Sequence, residues 1–146
     1  LKLQQHIAVS IPISMVTYVV SRSIPMAAVS LAAGVLLDLD HGFDYMREYG
    51  MRLDPAFFFH SFHNTLYRRV VIPLHGWEWL PLLGLLALRM RGNPFAVGAL
   101  IGTTQHLLFD QFTNGVAGCG YFFVYRVMKK FVTGDIFPGK GIAGEE

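Results

Sequence analysis

Charge is what this chain has least of. Its 12 Lys and Arg and 10 Asp and Glu make up 15% of 146 residues, against about 25% in an average soluble protein. A water-facing surface is hard to build from so few charges. Cysteine is nearly absent too: Cys119 stands alone, which excludes an internal disulfide framework and any cysteine-built zinc site. Basic runs never exceed a pair, Arg68 with Arg69 and Lys129 with Lys130, and the net charge is only +2. The chain therefore carries no nucleic-acid footprint. Internal repeats are missing as well. With 53% of residues hydrophobic, disorder is excluded, and the composition points to a small integral membrane protein.

What is present is apolar sequence in four nearly uncharged stretches. Leu3–Ser21 holds 19 residues without Asp, Glu, Lys or Arg, residues 23–37 hold 15, and residues 92–109 hold 18. Residues 79–88 form a shorter stretch that reaches back to Val70 if His75 and Glu78 are tolerated. A spanning helix needs about 20 apolar residues, with a lower bound of roughly 17. Ser23 and Pro25 mark one helix start, Gly92 and Pro94 a stop followed by a start, and Pro12 predicts a kink. Residues 42–73 collect Asp44, Arg47, Glu48, Arg52, Asp54, Arg68 and Arg69. Between them, Phe57 to Phe59 and Leu66 with Tyr67 suggest one or two short interfacial helices. A fifth apolar stretch, 116–127, reads as a short span, a re-entrant piece or a surface helix. Lys2 before an apolar run resembles a signal peptide, but no small-residue cleavage site follows.

The expected fold is all-α. Four short up-down helices form an integral membrane bundle, with an interfacial helical insertion between the second and third and a C-terminal apolar segment after the fourth. Residues 1–134 make one membrane-embedded domain and 135–146 a flexible tail. The expected location is an inner membrane of bacterial type.

The ionisable residues fall at helix ends. His6 opens the first helix, Asp38, Asp40 and His41 close the second, His75 and Glu78 open the third, and His106 and Asp110 close the fourth. In an up-down bundle these ends share one face. His106 with Asp110, and Asp40 with Asp44, are spaced i,i+4; Asp38 with His41, His60 with His63, and His75 with Glu78 are spaced i,i+3. Acids at apolar helix ends are costly near lipid and usually face a polar interior. Clustered carboxylates repel one another unless protonated or bridged by cations. Imidazole plus carboxylate without thiolate suits divalent Zn, Mn or Fe, and the number of acids admits one or two ions, Zn or Mn foremost. A Glu-x-x-His di-iron pair is absent, since His75 and Glu78 run in the reverse order.

Three segments together resemble a known family. Gly34-Val35-Leu36-Leu37-Asp38-Leu39-Asp40-His41, then His60-Ser61-Phe62-His63-Asn64-Thr65-Leu66, then His106-Leu107-Leu108-Phe109-Asp110 are similar to the YdjM-type predicted membrane-bound metal-dependent hydrolases. That family shows an early His, matched by His6, then an Asp-x-Asp-His segment, a pair of nearby histidines and a late His-x-x-x-Asp. Leu37 stands where the family commonly has Pro, and Ser61 where a basic residue is usual. The resemblance implies a hydrolase acting on a phospholipid or other phosphoester, similar in ligand chemistry to zinc-dependent phospholipase C.

Spacing and resemblance together nominate His6, Asp38, Asp40, His63, His106 and Asp110 as metal ligands. His41, His60 and Glu78 follow as catalytic acid–base groups, with His75 and Asp44 as further ligands or their supports. Arg68 and Arg69 either hold a substrate phosphate or mark the membrane boundary. Trp77 and Trp79 read as interfacial anchors. Expected partners are membrane lipids, a lipid or phosphoester substrate, and a second copy or a larger membrane complex; nucleic acid is not among them.

Two other functions compete. A phosphohistidine lipid phosphatase shares the His106-x-x-x-Asp110 spacing but needs a Pro-Ser-Gly-His segment that is missing here. A metal-binding subunit or an ion or proton carrier is the non-enzymatic alternative. Carriers place ionisable groups near mid-membrane, whereas these collect at one end. The positive-inside rule gives no orientation until the course of residues 116–127 is known.

Overall fold

The structure is a computed structural model that describes residues 3–140. Lys2, and residues 141–146 of the expected tail, lie outside the described residues. Those described are all-helical, without a strand; Arg69 and Val132 form an isolated antiparallel bridge.

The described residues of Leu1–Asp38 and Trp77–Thr113 form one compact unit. It contains four helices: α1 (Leu3–Ser21), α2 (Ile24–Leu36), α5 (Trp79–Arg89) and α6 (Pro94–Thr113). Ser23 caps α2, its Oγ accepting from the Met26 N–H at 3.3 Å, and Pro25 sits in the first turn, where a missing N–H does no harm. A 3-10 turn, Leu37–Asp40, follows α2. α2 packs closely on α6, and glycine is the reason. A Cβ on Gly98 would lie 2.4 Å from the Met26 carbonyl oxygen, and one on Gly102 would lie 2.3 Å from that of Ser30. Small residues at such spacing let two backbones touch. Ser14 ties α1 to α2 by donating to the Ala27 carbonyl at 2.8 Å.

Among the described residues, two helical stretches are long and apolar enough to cross a membrane, Leu3–Ser21 and Ile24–Tyr49, and only 22% of an 18-residue window in each is buried. The expectation of four differs from this for two reasons. Helix α5 starts at Trp79 rather than His75, because residues 73–78 are spent in turns. Helix α6 has the length, yet Thr103, Thr104, Gln105, His106, Asp110 and Gln111 dilute its apolar character.

The described residues of Leu39–Gly76 and Asn114–Glu146 form the second unit. Its helices are α3 (His41–Tyr49), α4 (Pro55–Asn64), α7 (Phe123–Met128) and α8 (Thr133–Ile136). Asp54 caps α4 by accepting from the Phe57 N–H at 3.0 Å. Leu66 and Tyr67, expected in a helix, instead begin an extended strap, and Tyr67, Val70 and Ile72 bury their side chains. Asp44 clamps the strap: its carboxylate accepts from the Val71 and Ile72 amides at 2.9–3.0 Å. Ile72 lies at φ 34, a region that β-branched residues avoid, and the clamp holds it there. In 116–127 only Phe123 onward is helical. The six residues of α7 span about 9 Å, far short of a roughly 30 Å hydrocarbon core. Ile136 and Phe137, within the expected tail, are buried.

Candidate metal centre

Three helical elements of the first unit supply one buried cluster. His6 comes from the first turns of α1, Asp38 from the turn after α2, and His106 and Asp110 from α6, one helical turn apart. One ligating atom from each lies within 4.8 Å of the other three. His6, His106 and Asp110 are at most 1% exposed and the Asp38 side chain 12%.

The distances have a pattern. His6 Nε2 lies 3.4 Å from Asp38 Oδ2 and 3.3 Å from Asp110 Oδ1. His106 Nε2 lies 3.4 Å from Asp38 Oδ1 and 3.5 Å from Asp110 Oδ2. Charge-assisted N–H···O bonds are shorter, about 2.7–2.9 Å. All four separations exceed that, and because they involve both oxygens of each carboxylate, each acid stands between the two imidazoles.

The proton on His106 is placed by its surroundings. Its Nδ1 is 2.9 Å from the Gly34 carbonyl, which can only accept, so Nδ1 carries the hydrogen. In the neutral ring Nε2 then turns a lone pair toward two carboxylates. His6 Nε2, also buried, makes no hydrogen bond at all. An ion among the four groups would take up the His106 lone pair and offset the charge of both acids.

Packing behind the ligands holds them in place. Gln105 Nε2 donates to Ser10 Oγ at 2.8 Å, joining α6 to α1 one turn from His6. Gly34 leaves room for this pair, since a Cβ there would come within 2.5 Å of Ser10 Oγ. Sequence reasoning missed Ser10 and Gln105, and took Gly34 only as part of a motif. A small residue on each of two neighbouring apolar helices, beside a buried amide, was the available signal.

The other nominated residues lie elsewhere. Asp40, His41 and His75 belong to the second unit. There Asp40 Oδ2 accepts from the Leu74 amide at 2.8 Å and from His75 Nδ1 at 3.0 Å, while the His41 ring meets the His75 ring edge-on at 5.0 Å. Asp44 is committed to the strap amides. His60 and His63 are exposed on α4: Asn64 Nδ2 lies 3.3 Å from His60 Nδ1, and the His63 ring stacks near Phe59. Glu78, in the first unit, precedes α5 and is outside the cluster of four. Arg68 Nε is 3.6 Å from Glu48 Oε1, and Arg69 lends its carbonyl to the Arg47 guanidinium. Trp77 Nε1 donates to Gln111 Oε1 at 3.1 Å.

The chain matches no family model, no curated protein and no solved structure.

Proposed function

We propose that the protein is a membrane-embedded metal-dependent hydrolase whose ion is held by His6, Asp38, His106 and Asp110. The observation that carries this reading is the buried cluster itself, one ligating atom from each of the four within 4.8 Å of the others, with the His106 tautomer fixed by the Gly34 carbonyl. Zinc or manganese suits a donor set of two imidazoles and two carboxylates. When bound, such an ion acts as a Lewis acid on a phosphoryl or carbonyl oxygen and makes water more acidic.

The chain's own groups do the rest. His6 and His106 orient their Nε2 atoms inward. Asp38 and Asp110 neutralise the ion's charge, and Asp38, the most exposed of the four, lies on the open side of the cluster. The substrate is a phospholipid or another phosphoester. Two things support that class: the order of the motifs, which resembles the YdjM-type hydrolases, and two apolar helical stretches long enough to cross a membrane.

The test is hydrolysis by detergent-purified protein of a panel of phospholipids and a soluble phosphodiester, before and after chelation, with zinc or manganese restored. Release that disappears on chelation, returns with metal and is absent in H106A supports the reading. Metal bound in full stoichiometry without hydrolysis of any substrate would reduce the protein to a metal-stabilised membrane subunit.

A further inference from the structure

The second unit carries a polar groove of about 670 Å³ lined by Arg47, Glu48, Arg68, Arg69 and Val132. Three guanidiniums face one carboxylate. Glu48 is taken up with Arg68: its carboxylate accepts from the Arg68 amide at 3.3 Å and lies 3.6 Å from Arg68 Nε. Arg47 lies 3.4 Å from Asp44 and donates to the Arg69 carbonyl. The Arg69 guanidinium makes no ion pair or hydrogen bond among the described residues and stands exposed at the groove.

The backbone that presents these arginines is fixed. Val70 N–H donates to the Phe131 carbonyl at 2.9 Å and Thr133 N–H to the Arg68 carbonyl at 3.1 Å, on either side of the bridge between Arg69 and Val132. One residue further on, the Asp44 clamp seizes Val71. A chain this poor in charge thus gathers a quarter of its 12 basic residues round one groove and holds them there. Like charges brought together raise each other's energy, and an anion in the groove reverses the sign of that interaction. Planar guanidinium forks match the paired oxygens of a phosphate.

We infer that this groove binds the phosphate group of a phosphoester, with Arg69 as the principal contact and Arg68 and Arg47 flanking it. The phosphate belongs either to a lipid headgroup or to a soluble phosphoester. The inference stands apart from the metal centre, because binding here requires neither ion nor hydrolysis.

The test is calorimetric titration of the full chain in detergent, with chelator present. The probes are glycerol 3-phosphate and dihexanoyl phosphatidic acid. R69Q is expected to weaken binding about tenfold or more, the range for losing a charge-assisted contact, and R68Q/R69Q to abolish it. R69K, which keeps the charge and loses the fork, falls between, and its unfolding midpoint shows that the fold is kept. R91Q, changed in the turn between α5 and α6, leaves binding intact. Tighter binding of the lipid assigns a headgroup; equal binding assigns a soluble phosphoester. Failure of both probes to bind, or equal binding by wild type and R68Q/R69Q, overturns the inference. Since no metal is present, loss of the proposed hydrolase activity would leave these results standing.

Discussion

The imidazole rings of His6 and His106 lie face to face, their centroids 4.0 Å apart and their planes 9° from parallel. Both Nε2 atoms lie 3.3–3.5 Å from carboxylate oxygens of Asp38 and Asp110, a donor set that could hold an ion. The protein is therefore expected to retain a divalent ion through chelator-free purification, measured by elemental analysis. His6→Ala and His106→Ala should each lose it. Zinc added at 100 times its dissociation constant to chelator-stripped protein should stabilise the wild type by about 2.7 kcal/mol, and neither variant. Wild type free of metal, or variants with full stoichiometry, would sink the centre.

The contact between α2 and α6 is backbone against backbone at Gly102. A Cβ there meets the Ser30 carbonyl at 2.3 Å and the Gly34 amide nitrogen at 2.9 Å, neither of which can swing aside. Gly102→Ala should destabilise the first unit by about 1–3 kcal/mol, as overpacking does, and weaken metal binding as well. Gly84→Ala, with open space around its Cβ position, is the control. Denaturation in detergent measures both.

Asp44 is fully buried and accepts from two strap amides. Asp44→Asn puts an NH2 where an acceptor is needed, at a cost of about 1–3 kcal/mol. Hydrogen exchange should quicken first at Val71 and Ile72. Unchanged protection at those two amides would contradict the clamp.

Asp54 titrates below the usual carboxylate range, chiefly because it accepts from the Phe57 N–H and next because the Arg52 guanidinium bonds to it. A lowered folded-state value means that its stabilising effect is complete above the unfolded value of about 3.9 and is lost as pH falls through the folded value. Acidification below about pH 4 should loosen the first turn of α4, seen as faster exchange at Phe57. Asp54→Asn, which cannot titrate, should show no such pH dependence.

Val16 on α1 is 62% exposed and Val20 80% exposed, with only apolar side-chain atoms to offer. In a membrane that surface meets lipid. With exposed Cys119 changed to Ser, a single cysteine at Val16 should resist an aqueous maleimide in intact vesicles and react after detergent is added. Ready labelling without detergent would place α1 in water.

Much of the metal cluster was legible in the sequence because helical periodicity is local. His106 and Asp110 one turn apart, and His6 and Asp38 at apolar helix ends, need only a bundle to meet. The second unit was less readable. Asp40 and Asp44 look like ligands by spacing, yet each spends its carboxylate on amides 27 to 34 residues away. Those amides belong to a strap without periodicity, so nothing in its sequence announces them. Leu66 and Tyr67 misled for a similar reason: apolar residues that pack in an extended segment look, locally, like a helix face. The glycines at 98 and 102 were visible, but their partners Met26 and Ser30 become partners only once α2 and α6 pair.

The glycine seam also sets a gauge. Gly102 lies one turn before His106 on α6, and the Ser30 carbonyl it touches lies two turns before Asp38. Two opposing ligand-bearing backbones are thus in hard contact close to the ion position, and neither can retreat toward the other or breathe outward without breaking that contact. Such a frame fixes how far His106 can stand from Asp38, so the reach of the cluster is set by backbone contact between two helices as well as by side-chain rotamers.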